Sequence, residues 1–287
     1  MKKVILNGFL FAMVFLLIIT GCNKEDDSIA INDNTPVTSD ENPEADAICN
    51  ADVNMMFSDV FDIADEAYIS ASGYKSSGYD DSYFIGGCAT ITLDTLSNPR
   101  MLTVDFGDEN CLCNDGHYRR GKIIITFTGP YRMIGTVITH SFDNYYVDDN
   151  AVMGSMIVTN AGRDEYNNLN YLISSNAIII RADSSGQFTR AGNFRRIWIE
   201  GENTPDRFDD IYLIKGKAYG QLASGSNYRM NIVNPLRREI GCKYFVSGVF
   251  KFKTVNKPEA IFNYGDGECD NIATVTINGI THTIYLP

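Results

Sequence analysis

Lys122-Ile123-Ile124-Ile125-Thr126-Phe127-Thr128 (residues 122–128) alternates as a half-buried strand does. Ile123, Ile125 and Phe127 fall on one face, with Lys122, Thr126 and Thr128 on the other. The period of two holds from Gly86 to the C-terminus. Ile197 and Ile199 oppose Arg196 and Glu200, while Phe250 and Phe252 oppose Lys251 and Lys253. Val275 and Ile277, then Ile280, Ile284 and Leu286, flank Asn278-Gly279. That dipeptide supplies the positive φ angles of a type I′ turn, so a C-terminal hairpin is predicted. Short runs of Ile, Val, Thr, Tyr and Phe are separated by Gly, Asn, Asp and Ser clusters without a helical interruption. The fold class this predicts is all-β: a large, twisted antiparallel meander sheet, open or a partial barrel. A β-sandwich is the alternative.

Upstream the period is 3.6. An apolar stripe runs from Val53, Met56 and Phe57 to Ala64, Ala67 and Tyr68, while Asp52, Asp59, Asp62, Asp65 and Glu66 lie mostly off it. This predicts one N-terminal amphipathic helix over about 52–70, packed on the sheet and covering its concave face. Asn50 or Asp52 would cap it, and it would stop near Ser70 to Gly73. Residues 28–47 are polar and acidic, with two prolines and few large apolar residues, a composition that cannot bury enough surface to fold. The predicted organisation is a leader at 1–21, a disordered acidic tether at 22–48 and a single β-rich domain at 49–287.

The leader carries its own signature. Lys2 and Lys3 precede a nearly continuous apolar run that ends in Ile19-Thr20-Gly21-Cys22, the pattern of a cleaved export signal. Leu-Ile-Ile-Thr-Gly-Cys resembles the lipobox of bacterial lipoproteins. The resemblance implies cleavage before Cys22, diacylation of its thiol and acylation of the new amine, with palmitate among the chains. Such an anchor exceeds the two signals that stable membrane attachment requires. Asn23-Lys24-Glu25-Asp26-Asp27 looks like the Lys-plus-acidic tag that sends lipoproteins of Bacteroidota to the cell surface; a periplasm-facing anchor is the alternative. Two longer segments, DGHYRRGKIIITFTGPYRMIGTVITHSFDNYYVDDNAVMG and YGDGECDNIATVTINGITHTIYLP, are similar to strings in uncharacterised outer-membrane lipoproteins of Bacteroidota. That resemblance implies membership of the group and brings no catalytic residues with it.

Composition narrows the partners. The formal net charge is −12, and losing Lys2 and Lys3 takes it to about −14. An acidic chain of this kind argues against nucleic acid and against docking on anionic lipid through a basic patch. No second run approaches the roughly 18 apolar residues of a membrane-spanning helix. Membrane contact is therefore expected through the lipid on Cys22.

Beyond Cys22 stand Cys49, Cys88, Cys111, Cys113, Cys242 and Cys269, an even set that an oxidising compartment turns into disulfides. Phe106-Gly107-Asp108-Glu109-Asn110-Cys111 is echoed by Tyr264-Gly265-Asp266-Gly267-Glu268-Cys269. Each cysteine follows another, Cys88 or Cys242, across strand, turn and strand. The echo predicts Cys88–Cys111 and Cys242–Cys269, leaving Cys49 to pair with Cys113. The C-x-C spacing of Cys111 and Cys113, without a histidine at ligand spacing, does not suit zinc.

Motifs for chemistry are sparse. There is no G-x-S-x-G, H-E-x-x-H or P-loop, so no catalytic residue, cofactor or metal site is assigned. His140 and His282 alternate with apolar residues and are expected to point into a core or groove, whereas His117 is expected to be solvated in its turn. Acidic turns at 105–109, 148–150, 209–210 and 266–270 carry oxygen ligands of the type calcium prefers, but none matches EF-hand spacing. Trp198 and Tyr145 are the candidates for stacking on a sugar or gripping a partner, unless the helix covers their face. Three functions follow in order: a non-enzymatic lipid-anchored envelope protein that binds or supports an envelope protein or glycan partner, a carrier of an apolar ligand in the curved sheet, and a glycan-acting hydrolase.

Overall fold

The computed structural model describes residues 42–73, 82–183, 186–204 and 206–286. The leader, Cys22 and most of the expected tether lie outside the described residues. Among the described residues helix α1 (Pro43–Ser72) is followed by fourteen strands. They are β1 (Thr90–Asp94), β2 (Arg100–Asp105), β3 (Cys111–Leu112), β4 (Tyr118–Phe127), β5 (Val137–Val147), β6 (Asn150–Arg163) and β7 (Leu169–Ile180). The run continues with β8 (Gln187–Glu200), β9 (Ile211–Gln221), β10 (Asn227–Glu239), β11 (Ser247–Thr254), β12 (Ala260–Asp266), β13 (Ile272–Ile277) and β14 (Ile280–Tyr285).

All pair antiparallel in one sheet, ordered β1-β2-β4 and then consecutively to β14, with the two-residue β3 added to β4. The order has two ends, so the sheet is open rather than a closed barrel, and among the described residues there is no second sheet for a sandwich. Alternation is as read: Ile123, Ile125 and Phe127 are buried, as are Phe250 and Phe252. The turn between β13 and β14 has Asn278 at φ 51° and Gly279 at φ 83°, with Ile277 opposite Ile280.

The sheet wraps around α1. The helix touches β1, β2 and β4 on one flank and β11, β12 and β13 on the other. Its start is earlier than expected. Asn42 Oδ1 accepts from the backbone N–H groups of Glu44 and Ala45, Pro43 occupies the first turn, and Glu44 and Asp46 sit at the positive end of the dipole. Residues 43–48 therefore belong to the helix and not to a tether. Their polar side chains are matched across the fold, Glu44 by His282 at 2.7 Å and Asp46 by Lys257 at 3.0 Å. Gly73 in the left-handed region ends the helix, and its N–H donates to Ile69 O.

The larger departure concerns the polar side of α1. Asp59, Asp62, Asp65 and Glu66 are buried along with the apolar stripe. Each meets an arginine from the sheet or its loops, so the stretch 57–67 of the helix is buried on its polar side as well as its apolar one. Asp62 holds Arg196 at 2.5 Å and Arg238 at 3.0 Å. Asp65 accepts from Arg132 at 2.8 Å, and Asp59 lies 3.2 Å from Arg238. Glu66 pairs with Arg207 and also accepts the N–H groups of Tyr83, Phe84 and Ile85 at 2.8–3.1 Å.

Two of the cysteine pairs form as read. Cys88–Cys111 and Cys242–Cys269 are disulfides with Cα–Cα separations of 5.6 Å, closing the hairpins β1–β2 and β11–β12. Cys113 corrects the third pairing, for it is a buried free thiol. The turn closed by Cys113 N–H to His117 O carries that thiol into the interior beside Arg119, and Cys49 is itself disulfide-bonded, so the two do not pair with each other. Burial pushes that thiol up from its ordinary range.

Candidate functional site

Several turns collect at one rim of the sheet, next to the first half of α1, and enclose a pocket of about 220 Å³. The helix contributes Asp52, Met55, Met56 and Asp59; the rim contributes His117, Asp148, Arg181, Lys243 and Tyr244 among others. Asp148 and Asp149, at φ 47° and 61°, make the tight turn between β5 and β6. That turn aims Asp148 back at β4. Its Oδ2 lies 2.6 Å from His117 Nδ1, and its Oδ1 accepts from Tyr118 N–H at 3.0 Å.

His117 is thus half-buried and paired, not solvated. It closes the turn that carries Asp115, two residues before Arg119 of β4. Arg119 grips Asp115 with two bonds of 2.7 and 2.6 Å and lies 3.9 Å from Asp59. Side-chain ligand atoms of Asp59, Asp115 and His117 lie within 4.8 Å of one another. Burial lifts the Asp59 carboxyl to about 6, ahead of the lowering by Arg238 and Arg119. Burial opposes charge on His117, but the Asp148 bond and the Asp59 and Asp115 carboxylates outweigh it and raise the imidazole.

Two carboxylates and an imidazole are a donor set that a divalent cation accepts. Here Arg119 and Arg238 already sit against the two carboxylates, so the positive charge that a metal would bring is supplied by the protein. The cluster is an ionic network forming one wall of the pocket. Two of the acidic turns are similarly neutralised: Asp105 pairs with Lys122 at 2.8 Å, and Asp149 pairs with Arg120.

Comparison with protein-family models, with curated proteins and with solved structures finds no match. The site is therefore read from its own geometry.

That geometry corrects the aromatic candidates. Trp198 is 1% exposed and Tyr145 3% exposed. Trp198 does lie on the face opposite Ile197 and Ile199, and that is the face the helix covers. It packs on Tyr212 with ring centroids 5.4 Å apart, with Arg132 over its ring at 4.8 Å. Tyr145 is turned inward by a bulge opposite Gly121, where two residues of β5 face one of β4. Upstream of the bulge Ile138 and His140 point in; downstream Tyr145 and Val147 do. Tyr145 stacks on Phe142 at 5.6 Å, and burial raises its hydroxyl to about 12. Among the described residues the rings left in solvent are Tyr118, Tyr166, Phe208, Tyr219 and Tyr285.

His140 is buried as expected, and burial lowers it to about 4. His282 is not: it stands exposed on β14, bonded to Glu44 at 2.7 Å.

Proposed function

We propose that the chain is a lipid-anchored outer-membrane protein of the Bacteroidota type, held through Cys22 and facing outward, with a non-enzymatic binding role. Its partner is an envelope protein or glycan, engaged at the rim pocket between Asp59, His117, Lys243 and Tyr244. One observation carries this reading: the concave face, where a curved sheet would hold a substrate or lipid, is filled by the chain's own helix. The carboxylates along it are engaged by arginines, and the internal cavity against the helix holds about 40 Å³. That is far below the roughly 300 Å³ at which small-molecule pockets begin. The rim pocket is smaller than that too, so it suits a single sugar ring or side chain.

The anchor is tested by labelled palmitate, which should enter the wild-type protein and be lost in Cys22→Ala. Protease added to intact cells should degrade an outward-facing domain. For the pocket, titration of the protein with a glycan panel should show binding that Tyr244→Ala and Lys243→Ala weaken while the melting temperature holds. Co-purified lipid in native mass spectra would revive the apolar carrier.

A second reading rests on the pairing of Asp59, lifted to about 6, with Asp115, held by Arg119. A buried carboxyl raised in this way beside a second carboxyl is an arrangement that an acid–base hydrolase uses. Turnover of any glycan that Asp59→Asn abolishes would establish it and overturn the first reading.

A further inference from the structure

The cavity of about 40 Å³ lies in the core between α1 and strands β6 to β10. Its polar lining is Asn54, Ser58, Ser175, Arg190 and Arg196, and no lining residue is acidic. Arg190 is 3% exposed and makes no ion pair among the described residues. Its hydrogen bond runs from Nη1 to Asn54 Oδ1 at 2.7 Å, and Phe194 lies under the guanidinium at 4.8 Å. The contrast with its neighbours is sharp, since Arg119, Arg132, Arg196, Arg207 and Arg238 each meet a carboxylate.

A guanidinium does not shed its proton at any pH at which a protein is folded. Left alone in an apolar interior it is strongly unfavourable, so a buried charge is ordinarily paired. A partner for this charge would be negative, and several hydrogen-bond donors line the same cavity. Arg190 Nε, Arg196 Nε and the Ser58 and Ser175 hydroxyls are all buried with no partner among the described residues. Each of them can donate. Donors in excess, two guanidinium groups and no carboxylate select against a cation.

Size and polarity narrow the class. A water needs about 10–15 Å³ of such space, so 40 Å³ admits a halide with a water or two, whereas sulfate or phosphate with its own hydration is too large. The remaining walls, including Phe57, Phe61, Met156 and Leu236, favour an ion that gives up its hydration readily.

We propose that this cavity binds a monovalent halide, chloride under physiological conditions, as the counter-ion of Arg190. The site ties α1 to β8 and β7, where the other rungs use a carboxylate. It stands apart from the rim pocket and does not depend on what binds there.

The test is thermal unfolding of the lipidated wild-type protein in neutral detergent at constant ionic strength, in sodium gluconate, chloride, bromide or sulfate. Chloride and bromide should raise the midpoint by several degrees in a saturable way, and gluconate and sulfate should not. Arg190→Met should lose the halide dependence. Equal midpoints in chloride and gluconate would overturn the proposal. Should the variant fail to fold, wild-type crystals grown in bromide decide: an anomalous peak beside Arg190 supports the site, and water alone in the cavity refutes it.

Discussion

Asp62 is the carboxylate on which the docking of α1 most depends. It is buried, and its two oxygens hold different arginines, Arg196 at 2.5 Å through Oδ1 and Arg238 at 3.0 Å through Oδ2. Asp62→Asn keeps the shape and removes the charge. Arg238 retains Asp59 at 3.2 Å and donates to Cys242 O at 2.6 Å. Arg196 is left without a counter-charge, with ring faces, Tyr212 at 3.9 Å and Phe61 at 4.2 Å, and at most a neutral amide oxygen beside it. The expected cost is that of stranding one buried charge, about 3–5 kcal/mol. Against a total stability of roughly 5–15 kcal/mol this is a large share. For a domain of this size it corresponds to a fall in melting temperature of roughly 6–20 °C.

Urea unfolding followed by circular dichroism, on the Cys22→Ser chain and its Asp62→Asn derivative, measures the loss directly. The reasoning also requires coupling. Adding Arg196→Met removes the stranded charge, so the double variant should recover part of the loss instead of adding a second one. Two outcomes would refute it: a loss below about 1 kcal/mol for Asp62→Asn, or strict additivity in the double variant. Either would mean that the helix is held by its apolar stripe and that the buried ion pairs merely break even.

Three further outcomes are expected. Asp59, at about 6 in the fold against 3.8 in an unfolded chain, favours the folded state fully below pH 3.8 and loses that advantage as pH rises through 6. Relative to wild type, Asp59→Asn should therefore gain up to about 3 kcal/mol between pH 4 and pH 7 in urea titrations. His140, at about 4 against 6.5, has the opposite sign. Its contribution is present above pH 6.5 and falls as pH drops toward 4, so wild type should lose up to about 3 kcal/mol relative to His140→Phe over that window. The two terms oppose each other in the wild type, and a single steep slope shared by both variants would contradict the assignments. Removing Cys88–Cys111 or Cys242–Cys269 by paired serines opens loops of 23 and 27 residues; each should cost about 3 kcal/mol in chemical denaturation.

The sheet was legible because its information is local. Alternation at Ile123, Ile125 and Phe127 states which face is buried, and Asn278-Gly279 states where the chain reverses, without reference to any distant residue. The disulfides were legible for a related reason: hairpin topology brings residues some 25 apart in sequence together at one end. The helix start was also written locally, in Asn42-Pro43-Glu44, but the acidity of the segment was taken for solvation. What alternation does not reveal is a bulge. One extra residue in β5 reverses the parity between Phe142 and Tyr145 and takes Tyr145 into the core.

The charges on α1 were misread for a physical reason that bears on function. Asp59, Asp62, Asp65 and Glu66 look like a solvated face because an isolated helix would solvate them. Their partners are scattered over strands and loops as far away as Arg238, 176 residues from Asp62. Only closure of the sheet around the helix turns the polar face into an interior one. A helix enclosed in this way cannot leave the concave face without stranding several arginines at once, each at a cost of a few kcal/mol. The concave face is thereby removed as a place for exchange with solvent or substrate. At the rim, by contrast, the turns next to β4, β5 and β7 reach past the helix, and His117, Lys243 and Tyr244 line an open pocket there.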